Sequence, residues 1–179
     1  MLSGRRLIHR SWARFRSYVD YEQSEMADIV TPEQRSRMMT GIRGKGTKPE
    51  MLVRRALFAE GFRFRLHRSD LPGGPDIVLP GRKIAIFVHG CFWHRHAGCR
   101  YAKLPSSNAD FWRNKLDGNV RRDGRAVDAL RSAGWRVLTV WECATRDNAI
   151  APSIGSLVHK WVDDGAPVGE IAMLNPASQ

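Results

Sequence analysis

Only three cysteines occur in 179 residues, so at least one thiol must stand outside any internal disulfide. That excludes a disulfide-stapled secreted scaffold, and a reduced, cytoplasmic setting is expected. Long apolar runs are missing too: no stretch approaches the ~20 residues that cross a bilayer, so no membrane partner is expected. Acids are scarce relative to bases, with 18 Asp and Glu against 29 Lys and Arg, a formal net charge of +11. The imbalance points to a polyanionic partner, nucleic acid first, against the plainer alternative of a solvated basic surface. The chain also lacks internal repeats and low-complexity tracts. At this length one domain can bury a sizeable core.

Residues 1–25 carry Arg5, Arg6, Arg10, Arg14 and Arg16 but no apolar signal segment, and Met26-Ala27-Asp28 would make a natural start. They are read as a disordered basic extension. Residues 26–46 mix bases, Met38-Met39 and glycines without an apolar period, the pattern of a short helix and a basic arm for phosphate contacts. The folded domain is expected over 47–165, and 166–179 is read as a tail.

Thr47-Lys48-Pro49-Glu50 has capping-box spacing with Pro in the first turn, and Leu52, Val53, Ala56 and Leu57 continue at helical spacing. A helix is predicted over about 48–60, closed by Gly61. Phe62, Phe64 and Leu66 alternate with Arg63, Arg65 and His67, which predicts a strand with one buried face. With Asp76–Leu79 and Lys83–Val88 it makes a three-strand meander. Two helical stretches are predicted from Ser107 to Ala133 with Gly118 the weak point, and Val120, Val127 and Leu130 as the inward stripe. A strand over Trp135–Trp141 and a closing helix marked by Ile154, Leu157, Val158 and Trp161 complete the order.

The chemistry concentrates in I-A-I-F-V-H-G-C-F-W-H-R-H-A-G-C, from Ile84 to Cys99. Cys91, His96 and Cys99, with Cys143 beyond the later strand, form a Cys3His set suited to tetrahedral zinc. Free thiols and a small core residue are the alternative. His94 competes with His96 for the fourth place; His96 is preferred because His94 is wanted for proton transfer. Asp76 opens a strand after Pro75, where a carboxylate suits magnesium, although a Pro-Gly turn alone would also account for it. His89 and His94 are candidate general bases because an imidazole titrates near neutrality. Asp123 falls on the inward side of a basic helix and needs a partner there, a histidine or an arginine. Glu50 is accounted for as the third residue of the capping box. Phe92-Trp93, held between cysteines, reads as an exposed pair for wedging or stacking on bases. Trp112 and the Met38-Met39 pair admit either that role or core packing.

The blocks P-D-I-V, F-V-H-G-C-F-W-H-R-H, F-W-x-x-K-L-x-x-N-V-x-R-D and G-W-R-V-L-T-V-W-E-C, in this order, closely resemble the very-short-patch repair (Vsr) mismatch endonucleases over about Met26 to Val162. The resemblance implies an α/β restriction-endonuclease-like core, a mixed sheet flanked by helices, with a structural zinc. It implies nicking 5′ to the thymine of a T:G mismatch where a methylated cytosine has deaminated. Asp76 and the Val88 carbonyl would hold catalytic magnesium, with His89 and His94 on the waters, Asp123 supporting histidine and Glu50 nearby. Cys91, His96, Cys99 and Cys143 would hold zinc. Phe92, Trp93 and Trp112 would enter the base stack, and Met39 would wedge from the other groove. A monomer acting on double-stranded DNA is expected, and a MutL-type repair protein is a partner the resemblance leaves open. Two departures stand out: Val88 replaces a threonine, and the His96–Cys99 spacing is one residue longer, so the zinc loop must bulge. Two other readings remain: a same-core restriction-associated nuclease without mismatch specificity, and a zinc DNA-binding module without catalysis.

Overall fold

The computed structural model describes residues 45–173, which fall within the second of two units of the chain, Arg43–Gln179. The basic extension, Met38 and Met39, and all of the arm except Lys45 and Gly46 lie outside the described residues.

Helix α1 (Lys48–Ala59) begins where the sequence places it. Thr47 and Glu50 close both halves of the capping box, and Val53 and Leu57 are buried on its inner face. The next segment departs from expectation. Its strand, β1, is only Arg65–Leu66, and Leu66 is exposed. The pairing stops because His67 takes a left-handed backbone (φ 49°), which no regular strand accommodates. Strands β2 (Ile77–Leu79) and β3 (Ile84–His89) complete the antiparallel meander. Strand β4 (Arg136–Trp141) lies parallel to β3, and parallel neighbours need a crossover, here helix α2 (Ala109–Ser132).

α2 is one continuous helix of 24 residues rather than two. A glycine within a helix costs about 1 kcal/mol relative to alanine. Burial of Trp112, Leu116 and Leu130 on the same helix, about 1.5–3 kcal/mol for each large side chain, outweighs it. Val120, expected inward, is exposed.

Short helix α3 (Glu142–Arg146) and helix α4 (Ile154–Asp164) follow. The segment read as a tail then contributes β5 (Val168–Ile171), parallel to β4, giving a mixed sheet of order β1-β2-β3-β4-β5. Arg136 anchors this end, donating to the carbonyls of Trp161, Val162 and Ala166.

The strands alternate as two-sided burial requires. Ile84 and Ile86 of β3 with Leu138 and Val140 of β4 pack in one cluster with residues of α1 and α4. Ala85, Phe87 and Val137 pack with Leu130 of α2 in a separate cluster, so helices cover both faces. The turn before β2 also fits tightly against α2. Gly73 has φ +74°, and a Cβ there would lie 2.6 Å from the Ala126 Cβ. Gly73→Ala is therefore expected to destabilise the fold by about 2–4 kcal/mol, combining strain with overpacking. Urea unfolding tests this; a loss under about 1 kcal/mol would mean the turn yields freely.

Candidate active site and metal centre

Parallel pairing of β3 with β4 builds the site. His89 is level with Trp141, so the chain leaves both strands at one end of the sheet, and two residues later Cys91 and Cys143 meet. The Cys143 amide donates to the Cys91 Sγ at 3.3 Å. His96 Nδ1 lies 3.6 Å from Cys91 Sγ and 3.5 Å from Cys143 Sγ. Zn–S bonds of about 2.3 Å and a Zn–N bond of about 2.0–2.1 Å at tetrahedral angles place S and N about 3.6 Å apart. Cys99 completes a set whose candidate ligand atoms all fall within 4.8 Å of one another. The donor set and spacing thus fit zinc. Burial pushes the Cys91 and Cys143 thiols up, a cost that a coordinated cation reverses by stabilising thiolate. The His96 ring stacks on Trp141 at 4.1 Å, and the Trp141 indole donates to Glu170 of β5 at 3.0 Å. In the His96–Cys99 loop, Gly98 takes φ +66° and the Cys99 amide closes a turn on the His96 carbonyl.

His94 and His96 are only two residues apart, yet they serve different neighbourhoods. Between them Arg95 adopts φ 47° and its guanidinium pairs with Asp117 of α2, so the chain turns between the two rings. His94 faces Asp123, with Nδ1 to Oδ2 at 2.6 Å. The carboxylate can only accept, so Nδ1 carries a proton, and in the neutral ring Nε2 is the nitrogen that can accept. His89 stacks on His94, centroids 3.7 Å apart and planes within 6°.

These groups share a cleft of about 410 Å³ with Asp76, Val88, Gly73 and Gly74. Asp76 Oδ2 accepts from the Val88 amide at 2.8 Å, which fixes the carboxylate beside the residue expected to share its metal. Burial pushes the Asp76 carboxyl above its ordinary range, against the Val88 hydrogen bond and nearby positive charge. Such a carboxylate gains from a cation. Burial also pushes Asp123 up, but the His94 hydrogen bond and charge outweigh it and hold Asp123 below the usual range. His89 is lowered to about 3, by burial first and then by repulsion from His94, with Asp123 opposing. It is therefore neutral near pH 7.

The His89 shift has a consequence for stability. Unfolding returns the ring to its ordinary value near 6.5. Below that pH the unfolded chain binds a proton that the folded chain does not take up until about 3, so stability falls with pH across this interval. Going from about pH 7.5 to about pH 5 is expected to cost about 2 kcal/mol, and His89→Asn should lack that share. Urea unfolding of both proteins at the two pH values measures it; equal slopes would contradict the assignment.

Glu50 does more than cap. Its Oε2 accepts from the Gly46 and Thr47 amides, while Oε1 faces Arg54 and the ring of His67. Candidate ligand atoms of Glu50, His67 and Asp76 also fall within 4.8 Å of one another. Arg54 and His67 were not legible as site residues. The available signals were the Glu50–Arg54 spacing of one helical turn and a histidine at the end of the strand paired with the one Asp76 opens.

Phe92, Trp93, Phe111 and Trp112 form an aromatic cluster, with ring centroids 5.1 Å apart for Phe92–Trp93 and 5.4 Å for Phe92–Trp112. Phe92 and Trp93 are half-buried. Trp112 is buried at the floor, and the exposed ring is Phe111. Trp112 therefore takes the core role in the free protein. Asn119 of α2 ties the loop down by donating to the Trp93 carbonyl.

Among the described residues, no helix is long and apolar enough to cross a membrane. A family profile described as DNA mismatch endonuclease Vsr matches residues 27–100. The type II nicking enzyme V.XorIIP of Xanthomonas oryzae pv. oryzae is 52% identical over 122 residues, covering 68% of this chain and 89% of that protein. V.NmeAIP of Neisseria meningitidis is 45% identical, covering 70% and 89%. The DNA mismatch endonuclease Vsr of Escherichia coli is 42% identical over 121 residues, covering 68% of this chain and 77% of that protein. Identity of this extent, over two thirds of this chain and more than three quarters of each relative, shows that the chain belongs to the Vsr family of DNA mismatch endonucleases.

Proposed function

We propose that this endonuclease nicks duplex DNA 5′ to the thymine of a T:G mismatch, by magnesium-dependent hydrolysis on a restriction-endonuclease-like core clasped by structural zinc. The observation that carries the reading is a single cleft holding Asp76, fixed by the Val88 amide, together with the His94–Asp123 pair.

Asp76 and the Val88 carbonyl would hold magnesium. When bound, the ion supplies Lewis-acid polarisation of the phosphodiester and lowers the proton affinity of a bound water. His94 accepts at Nε2 the proton of the attacking water as its oxygen bonds to phosphorus and the ester bond to the departing sugar oxygen breaks. Asp123 holds the ring and stabilises the imidazolium that forms, through the contact at Nδ1. His89, kept neutral by burial, hydrogen-bonds water in the cleft and adds no second positive charge beside His94. Cys91, His96, Cys99 and Cys143 would hold the zinc and so fix the loop that carries His94. Phe92 and Trp93 enter the base stack, Met39 wedges from the basic arm, and the positive charge of the chain supplies phosphate contacts.

On this reading Asp123→Asn lowers the nicking rate by about 10²–10³-fold while duplex binding persists, because it weakens general-base catalysis without touching phosphate contacts. Single-turnover nicking and a binding titration measure the two quantities. The function itself is tested by incubating labelled T:G and T:A duplexes with magnesium. One nick beside the mismatched thymine is expected; equal cutting of T:A would favour the nuclease without mismatch specificity. Tight mismatch binding with no nicking would favour a binding module.

A further inference from the structure

His67 has the geometry of a functional residue, although it stands outside every motif described above. Its backbone sits at φ 49°, a region that favours glycine, and its amide donates to the Asp76 carbonyl at 3.2 Å. A non-glycine residue keeps such a conformation only where its surroundings hold it there. Its Nε2 lies 2.8 Å from an Arg54 guanidinium nitrogen and 3.2 Å from Glu50 Oε1. Arginine can only donate, so Nε2 must accept, and the ring is the neutral form with its proton on Nδ1. A ring nitrogen that accepts from Arg54 cannot also donate to Glu50. The same Arg54 nitrogen, with two hydrogens, instead bridges His67 and Glu50.

Glu50 is almost wholly buried and needs that guanidinium to balance its charge. Asp76 is the competing carboxylate, and it already feels the Arg54 charge. An arginine free to swing onto Asp76 would occupy the anionic groups that a divalent cation requires.

We propose that His67 is a positioning residue that, by accepting from Arg54, holds the guanidinium on Glu50 and keeps it off Asp76, leaving Asp76 open to the metal. The inference rests on the reading of Asp76 as the metal-holding carboxylate.

The test compares wild type, His67→Ala and His67→Gln by single-turnover nicking against magnesium concentration. Manganese binding by calorimetry without DNA, T:G duplex binding without added metal, and thermal melting accompany it. Removing the acceptor should raise the half-saturating magnesium concentration and weaken manganese binding by about 10-fold, as for other residues that act behind a ligand. Duplex binding and melting should hold. Gln, whose side-chain oxygen also accepts, should lie within about threefold of wild type. An alanine variant with wild-type metal dependence and manganese affinity overturns the proposal. So does one whose loss follows a lowered melting temperature, or a glutamine variant as impaired as alanine, which would make the ring nitrogen a direct ligand. If wild type nicks without divalent metal, or Asp76→Ala nicks as wild type does, the underlying reading falls and this inference with it. Metal-dependent wild type with an unaffected alanine variant removes the inference alone.

Discussion

Asp76→Asn is expected to reduce the single-turnover rate of T:G nicking by about 10³-fold or more, leaving the protein folded and able to bind the mismatched duplex. The size follows from what the carboxylate is assigned to do: losing an ion that polarises phosphate and supplies the nucleophile removes at least about 4 kcal/mol of transition-state stabilisation. The fold should not suffer. Asn presents an oxygen of similar placement to the Val88 amide, so the 2.8 Å hydrogen bond has a replacement acceptor. Burial raises the Asp76 pKa, so above its ordinary value the ionised group weighs against the folded state. A neutral isostere relieves that cost, and the metal-free variant should melt at or above wild type at neutral pH. Lost activity with gained stability marks a group kept for chemistry rather than packing. The checks are a nicking time course in magnesium, a duplex-binding titration and melting in magnesium-free buffer without chelator. A variant that nicks within about tenfold of wild type would remove Asp76 from the metal site.

Much of this cleft was legible because its residues are tied to elements with strong local signals. Thr47 and Glu50 announce α1, the apolar run before His89 announces β3, and Asp123 on an inward helical face demands a partner. The remainder depends on contacts between segments. His67 and Arg54 meet across 13 residues only because the chain turns back from α1 along β1, and no periodicity records that approach. Gly118 looked like a break because propensity is local, whereas the packing that carries α2 through it is not. β5 was hidden because V-G-E-I shows no apolar alternation. Its place depends on Trp161, whose indole lies where a Cβ on Gly169 would go, and on Arg136 holding the end of α4 beside it. Phe111 and Trp112 are adjacent aromatics, and only the helix rotation decides which one is buried.

Stripping the zinc proposed for the cysteine cluster is the second large perturbation, and it should act on both stability and activity. A cation that binds only the folded state adds about 4 kcal/mol when its concentration is a thousand times its dissociation constant. For a domain of this size each kcal/mol moves the melting point by about 2–4 °C, so a chelator should lower it by at least about 8–16 °C. The local consequences follow from where the ligands sit. Cys91 and Cys143 leave adjacent strands, and His96 and Cys99 close the intervening loop; without the ion, buried thiols face one another with no charge to balance. The large cluster around α1 and α4 has only Ala144 next to a ligand, so much of the helix signal can survive. The loop cannot keep its shape, and it carries His94. Chelation should therefore abolish nicking before it abolishes secondary structure, and Cys143→Ser should behave the same way without chelator. Metal analysis of the purified protein, circular dichroism melts with and without chelator, and nicking with magnesium restored after zinc removal separate these effects. A protein that carries no zinc, melts unchanged and still nicks would show that the four ligands merely pack together.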